Sequence, residues 1–337
     1  MKDYILKLKK ITIADADEVG AKNAFLGEIF TQKVLGSIRV PDGFVITATA
    51  YRHFIAYNKL DGVHNQLISG IDKSDPASVS KIAKQARDLI LGARIPGDLY
   101  DRILIAYHEL LNGTDSTLAV RSSSIDHNPL SINEKDKHDT FLNVSGEKEL
   151  ISSVKKCFAS LYSDQALIED PDWQDRVISV GVQKMIRADE ACSGYAYTCD
   201  PQSGFVDVIH VSGIWGIGLR DYDQSQVHDE FIVYKPNLHL GVNSIIQKKL
   251  GNKHHMVIYK DSGDHKSLIQ VETSAEMRGK YILTDEEILT IANWGIVLEN
   301  YYNCPVSIEW AKDNSSQDLF LLQAKPENLK KIKKNRV

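Results

Sequence analysis

Near Val177 the sequence changes rhythm, and the change restricts what the chain can fold into. Upstream, helical and strand-like patterns alternate. Downstream, short segments rich in β-branched and aromatic residues follow one another at 177–185, 195–198, 206–211 and 230–234. In the upstream part, 24–35 places Phe25, Ile29, Phe30 and Val34 at helical spacing, with Gly36 as a stop. Residues 44–46 read as a short strand. Asp75 and Pro76 are an N-cap and a first-turn proline; Val79, Ile82, Ala86, Leu89 and Ile90 then share one helical face up to Gly92. Residues 118–121 form a strand entering a charged loop, 122–139, that is predicted to be mobile. Residues 150–162 read as an amphipathic helix. Thr284 and Glu287 make a capping box ahead of Ile288, Ile291, Leu298 and Tyr302. Two last strands, 306–311 and 319–324, flank a polar turn and predict a β-hairpin. Alternation followed by an antiparallel run predicts an α/β chain of the α+β kind, with two lobes, 1–186 and 187–327, and a cleft between them. The basic stretch 328–337 lacks apolar periodicity and is expected to fray.

With 337 residues, 43% of them hydrophobic, the chain has enough apolar material for that core. Its 40 Lys and Arg against 45 Asp and Glu leave no basic excess, which argues against nucleic acid as the main partner. No apolar run reaches the roughly 18–20 residues that span a membrane. The start, MKDYILKLKK, carries charges where a signal peptide needs an apolar stretch. Four cysteines without a CxxC pair suit a reduced, cytoplasmic protein.

The final hairpin is the most informative place to look for chemistry. Side chains alternate along a strand. Val306, Ile308 and Trp310 share one face, and Ser307 and Glu309 the other. In the partner strand Leu319, Leu321, Gln323 and Lys325 are expected to share a face, so Glu309 and Gln323 meet across the pair with Lys325 beside them. A hard cation such as Mg²⁺ takes oxygen ligands from such groups and leaves its other positions to phosphate and water. Spacing alone equally describes a solvated face with a Glu–Lys pair.

Gly20 stands just before a helix with Lys22 near its first turn, an arrangement that suits a phosphate, although it is not a Walker A motif. A plain helix start with a solvated lysine has the same pattern. Arg121 closes a short apolar strand and is placed either to clamp phosphate oxygens or to make a structural ion pair. Gln183 lies in a strand, Val180-Gly181-Val182-Gln183-Lys184-Met185, that offers backbone groups to an adenine edge or is an ordinary central strand. Gly213, Gly216 and Gly218 do not follow the G-x-G-x-x-G spacing. Residues 200–204 read as a turn, and His254 and His255 as surface residues.

Taken in order, these blocks resemble the nucleotide-binding domain of the phosphoenolpyruvate synthase and pyruvate phosphate dikinase family, which has an ATP-grasp fold of two lobes enclosing an ATP cleft. The resemblance is carried by VGAKNAFLGEIF at 19–30, RVPDGFVITATAYRHFI at 39–55, LAVRSSS at 118–124 and DTFLNV at 139–144. VGVQKMIRADEACSGYAYTCDPQSGF at 180–205 is its longest stretch. QKKLGNKHHMVIY at 247–259, LTDEEIL at 283–289, CPVSIEWAKD at 304–313 and LLQAKPE at 321–327 complete it. It implies that Lys22 and Arg121 bind ATP phosphates, with Lys325 where the family usually has an arginine on them. It also implies that Thr140, Gln183, Lys184 and Met185 help hold the nucleotide, and that Glu309 and Gln323 hold Mg²⁺.

The chemistry implied is cleavage of ATP to AMP and phosphate, with the β-phosphoryl passed to a histidine on a separate domain. Several positions depart from the family pattern. The loop 125–138 contains no glycine, Ser307 replaces a usual aspartate, and Leu219 replaces a usual glutamate. No stretch resembles the family's phosphohistidine motif or its pyruvate-binding barrel. The resemblance therefore implies a stand-alone ATP-binding phosphotransferase component of a dikinase. It would act on a histidine domain carried by another polypeptide, or on a small acceptor. The alternatives are a nucleotide-binding regulatory or scaffold protein without turnover, and a domain of a longer parent chain.

Overall fold

The computed structural model describes residues 3–32, 35–62, 71–125, 139–169, 176–218, 227–238, 240, 242–259 and 268–327. The loop 126–138, Leu219 and the tail 328–337 lie outside the described residues. Helices and antiparallel sheets make up the structure, an α+β architecture. The chain divides into two compact units, one of Met1–Thr31 and Asp42–Met185, the other of Gln32–Pro41 and Ile186–Val337. No described helix is long and apolar enough to cross a membrane.

The first unit is built on five strands: β1 (Ile5–Lys7), β2 (Gly43–Ile46), β3 (Leu118–Ser124), β4 (Thr140–Val144) and β5 (Ile178–Lys184). Their spatial order is β1-β2-β5-β3-β4, every neighbour antiparallel. Phe44, Ile46, Leu118, Val120, Ile178, Val180 and Val182 join a core with the buried stripes of α2 (Ala48–Tyr57), α3 (Pro76–Gly92), α4 (Gly97–Leu111) and α5 (Glu147–Ala159). Thr47 caps α2 by accepting from the Ala50 N–H, and Asp75 caps α3 ahead of Pro76. α2 and α4 lie where the sequence pattern predicts no element. In α4, Leu99, Ile103, Ala106 and Leu110 do carry the helical period.

α1 (Ala16–Thr31) packs on β3 and β5. It begins well before the expected start at residue 24 and ends before the expected stop. The Thr31 hydroxyl turns back to the Glu28 carbonyl (3.1 Å), and Leu35 lies buried beyond the helix. Gly20, at φ 75° and ψ 155°, interrupts it, so the helix breaks after Val19 and restarts at Ala21.

In the second unit, six antiparallel strands run in the order β13-β12-β6-β7-β8-β9. They are β6 (Cys192–Tyr197), β7 (Val208–Trp215), β8 (Asp229–Tyr234), β9 (Ile245–Lys249), β12 (Val306–Lys312) and β13 (Leu319–Pro326). A separate ladder pairs β10 (His255–Tyr259) with β11 (Leu268–Glu272). The capping box of Thr284 and Glu287 starts α6 (Asp285–Tyr302), which packs on β12, β6, β7 and β8. Beneath it Trp310, Gly194, Gly213 and Asp229 form one rung. A Cβ at Gly213 would crowd the Trp310 ring. Asp229 pairs with Lys253, both side chains fully buried, and also accepts from the Gly251 (2.7 Å) and Ile282 (2.9 Å) amides. Losing one partner of such a pair costs about 3–5 kcal/mol.

The hairpin forms with one departure. Glu309 pairs with Gln323, but Trp310 pairs with Leu321, so β13 carries a bulge at Leu322. The extra residue inverts the alternation. Leu321 therefore points with Trp310 into the core, fully buried, and does not share a face with Gln323. Unbroken alternation would have driven a leucine out of the core or the glutamine into it.

Candidate functional site

Every candidate residue named from the sequence is described. Lys22, Arg121, Thr140, Gln183, Lys184 and Met185 belong to the first unit; Glu309, Gln323 and Lys325 belong to the second.

In the first unit, the face of the sheet away from the large core is polar. On β5, Ser179, Gly181 and Gln183 alternate on one side, paired in turn with Ser123, Arg121 and Ala119 of β3. This side meets α1: a Cβ on Gly181 would overlap Asn23 Oδ1, and one on Gly20 would overlap Ser123 Oγ. Arg121, Gln183 and the lysine-bearing start of α1 therefore share a face, with Thr140 directly opposite Arg121 on β4. Lys22 is the second residue after the helix restarts, so it sits in the first turn of the restarted helix. Two cationic side chains and a helix start on one face can neutralise and orient an anion. Gln183 is 6% exposed. The Lys184 and Met185 amides donate to the Asp42 and Thr117 carbonyls (2.9 Å each), so the end of β5 is anchored on both sides.

In the second unit, the face opposite α6 carries two polar rungs. One runs Gln323, Glu309, Tyr195, Ser212, Glu230, Lys249; the next runs Lys325, Ser307, Tyr197, His210, Ile232, Gln247. Glu309 and Gln323 are thus direct cross-strand neighbours, and Lys325 lies on the adjacent rung opposite Ser307. Lys325 Nζ is 3.4 Å from Glu327 Oε1, both side chains mostly buried. Beside the polar rungs on the same strands, Ala311, Phe320 and Leu322 pack with Ile186 and Ala188 in a small apolar cluster. A carboxylate and an amide oxygen side by side are hard donors for a cation such as Mg²⁺. No group of three or more His, Cys, Asp or Glu side chains among the described residues could hold a metal, so a cation here needs further oxygens from its ligand. An apolar cluster next to such a pair suits a molecule with a flat apolar part and an anionic part.

The turn joining β12 and β13 shows what fixes this hairpin. Asp313 Oδ1 accepts from the Ser315 and Ser316 amides (3.0 Å each) and the Ser315 hydroxyl, while Oδ2 accepts from the Arg187 amide (3.0 Å). Burial alone would raise the Asp313 carboxyl. These hydrogen bonds outweigh it and hold the group below the ordinary carboxylate value. Arg187 in turn forks onto buried Asp189 (2.8 Å to each oxygen), and Asn314 reaches Glu190 (2.7 Å). The segment following Met185 and the hairpin bearing Glu309 are therefore pinned together within the second unit. An Asp-Asn-Ser-Ser run is a turn signal, but nothing in the sequence marks Arg187 as its partner.

The turn at 200–204 forms around Asp200, whose Oδ1 receives the Gln202 (2.9 Å) and Ser203 amides. His254 is exposed and contacts Arg278 (3.1 Å), and it belongs to no metal group among the described residues.

A family model described as the pyruvate phosphate dikinase AMP/ATP-binding domain matches residues 16–337. The phosphoenolpyruvate synthase of Aquifex aeolicus is 35% identical across 100% of this chain and 40% of its own length. That of Neisseria meningitidis is 34% identical across 97% of this chain and 42% of its own, and that of Escherichia coli 32% identical across the same two shares. The chain thus spans about 40% of the length of these relatives.

Proposed function

Because this chain belongs to the pyruvate phosphate dikinase AMP/ATP-binding domain family, we propose that it is the ATP-binding part of a phosphoenolpyruvate synthase-like dikinase. In this reading it has the ATP-grasp fold. It transfers phosphoryl from Mg-ATP to a histidine domain carried elsewhere, or to a small acceptor, in the cytoplasm. The observation that carries the reading is the register of Glu309 against Gln323, with Lys325 on the next rung. The sharing of one sheet face by Arg121 and Gln183 supports it.

Lys22 and Arg121 neutralise phosphate charge, and the planar Arg121 guanidinium orients oxygens in pairs. Gln183, Lys184, Met185 and Thr140 hold the nucleotide from the first unit. Lys325 supplies a further cation as a point charge. Mg²⁺, held by Glu309 and Gln323, would contribute charge neutralisation on the phosphates. Phosphoryl transfer needs little covalent help from the protein; positioning and charge stabilisation do most of the work.

Calorimetric titration with Mg-ATP tests this. Saturable binding that weakens at least tenfold in Lys22→Ala and in Arg121→Ala is expected; absence of binding overturns the reading. A second reading, nucleotide binding without turnover, is favoured by Ser307, which stands two residues from Glu309 on the same face without a carboxylate. Turnover in the presence of an acceptor separates the two.

A further inference from the structure

Under the start of the Lys22-bearing helix lies a buried polar cluster. Gly20 breaks α1, so the regular helical ladder is interrupted at Val19. The Val19 carbonyl receives the side-chain amide of Asn23, four residues on (2.8 Å), and the hydroxyl of Ser179. Asn23 Nδ2 also lies 3.2 Å from Ser179 Oγ, and Ser179 Oγ lies 3.3 Å from the Ser123 carbonyl. Asn23, Ser123 and Ser179 are 6%, 2% and 0% exposed. Burying three polar side chains here carries a risk, because each one left unsatisfied is destabilising. An unbroken helix with apolar residues would avoid that risk, so the arrangement stabilises the break itself.

The position of the break is informative. Ser179 is paired with Ser123, and the neighbouring rung pairs Gly181 with Arg121. Gly181 lacks a side chain where Asn23 Oδ1 occupies the space a Cβ would fill. One buried set of hydrogen bonds therefore grips the restart of the Lys22 helix and presses it against the Arg121 rung. We propose that Asn23 and Ser179 are positioning residues, which set Lys22 relative to Arg121 so that both cations engage one anionic ligand. This rests on the reading of Lys22 and Arg121 as phosphate ligands.

The test compares ATP with adenosine, which lacks the phosphates, as ligands of the full chain in calorimetric titrations, with melting temperatures recorded for each variant. Asn23→Asp keeps the shape but cannot donate from an ionised carboxylate, and Ser179→Ala removes the hydroxyl. Gly181→Ala leaves all the polar groups in place but pushes Asn23 aside, and it serves if either other variant fails to fold. The expected result is an ATP affinity at least tenfold lower, with adenosine affinity within twofold of the unaltered chain. Unchanged ATP affinity in a folded variant overturns the proposal, and so does an equal loss for both ligands. Lys22→Ala separates the two levels. If it lowers ATP affinity selectively and the Asn23 and Ser179 variants do not, positioning alone is wrong. If it has no selective effect, the phosphate reading fails and the proposal with it.

Discussion

Replacing Asp313 by alanine removes one carboxylate that closes the β12–β13 turn and ties it to Arg187. Three backbone N–H groups, those of Arg187, Ser315 and Ser316, lose their acceptor, together with one hydroxyl. At a net ~1 kcal/mol per hydrogen bond the three amides amount to about 3 kcal/mol. The turn adjoins solvent, and water can satisfy part of what is lost, which reduces the expected cost to about 2 kcal/mol. Three of the four tryptophans, Trp215, Trp294 and Trp310, belong to the second unit, so urea unfolding followed by tryptophan fluorescence reports mainly on that unit. The sign of the pH dependence follows from the lowered carboxyl pKa. Stability from a depressed carboxyl is fully present above its unfolded value, here 3.8, and is lost as pH falls through the lower folded value. The gap between the unaltered chain and Asp313→Ala should therefore be constant from neutral pH down to about pH 5 and narrow below the carboxyl's unfolded value. A loss under about 0.5 kcal/mol, the range of an indifferent surface change, or a gap that widens in acid, would show that Asp313 does not hold this turn.

Glu309→Gln should lower Mg-ATP affinity at least tenfold while leaving metal-free ATP nearly unaffected; titrations with and without Mg²⁺ check this, and equal losses in both would argue against a cation ligand. Leu321→Ala should cost about 2–5 kcal/mol in urea unfolding, as for a filled core position; a negligible cost would place the residue outside the core and contradict the bulge. Burial lowers the His210 imidazole pKa below 6.5, with Glu230 and Asp200 opposing, so its contribution is present above pH 6.5 and lost as pH falls through the folded value. Melting temperature measured against pH should accordingly fall less steeply below pH 6.5 in His210→Phe, and identical slopes would count against it.

Much of the candidate site is legible in local patterns because it depends on short-range rules. Gly20 ahead of Lys22 marks a real break, since φ 75° with ψ 155° is a conformation that glycine adopts freely. The Thr284 capping box and the pairing of Glu309 with Gln323 follow from fixed spacings. The bulge does not, because Leu321 and Leu322 are adjacent leucines and nothing local marks which one pairs with Trp310. Nor does the buried Lys253–Asp229 pair, whose two charges stand 24 positions apart in the chain. The order β1-β2-β5-β3-β4 places β5 between strands far from it in sequence, a long-range choice that periodicity does not encode. The Asn23–Ser179 contact, across 156 positions, depends on that order.

We propose above that this chain binds ATP for dikinase chemistry. The most direct measurement resolves the nucleotides after incubation with Mg-ATP, with and without a separately supplied phosphohistidine domain of a phosphoenolpyruvate synthase. AMP and inorganic phosphate in equal amounts, formed only when the histidine domain is present, are expected. ADP as the sole product, or intact ATP under both conditions, would contradict it.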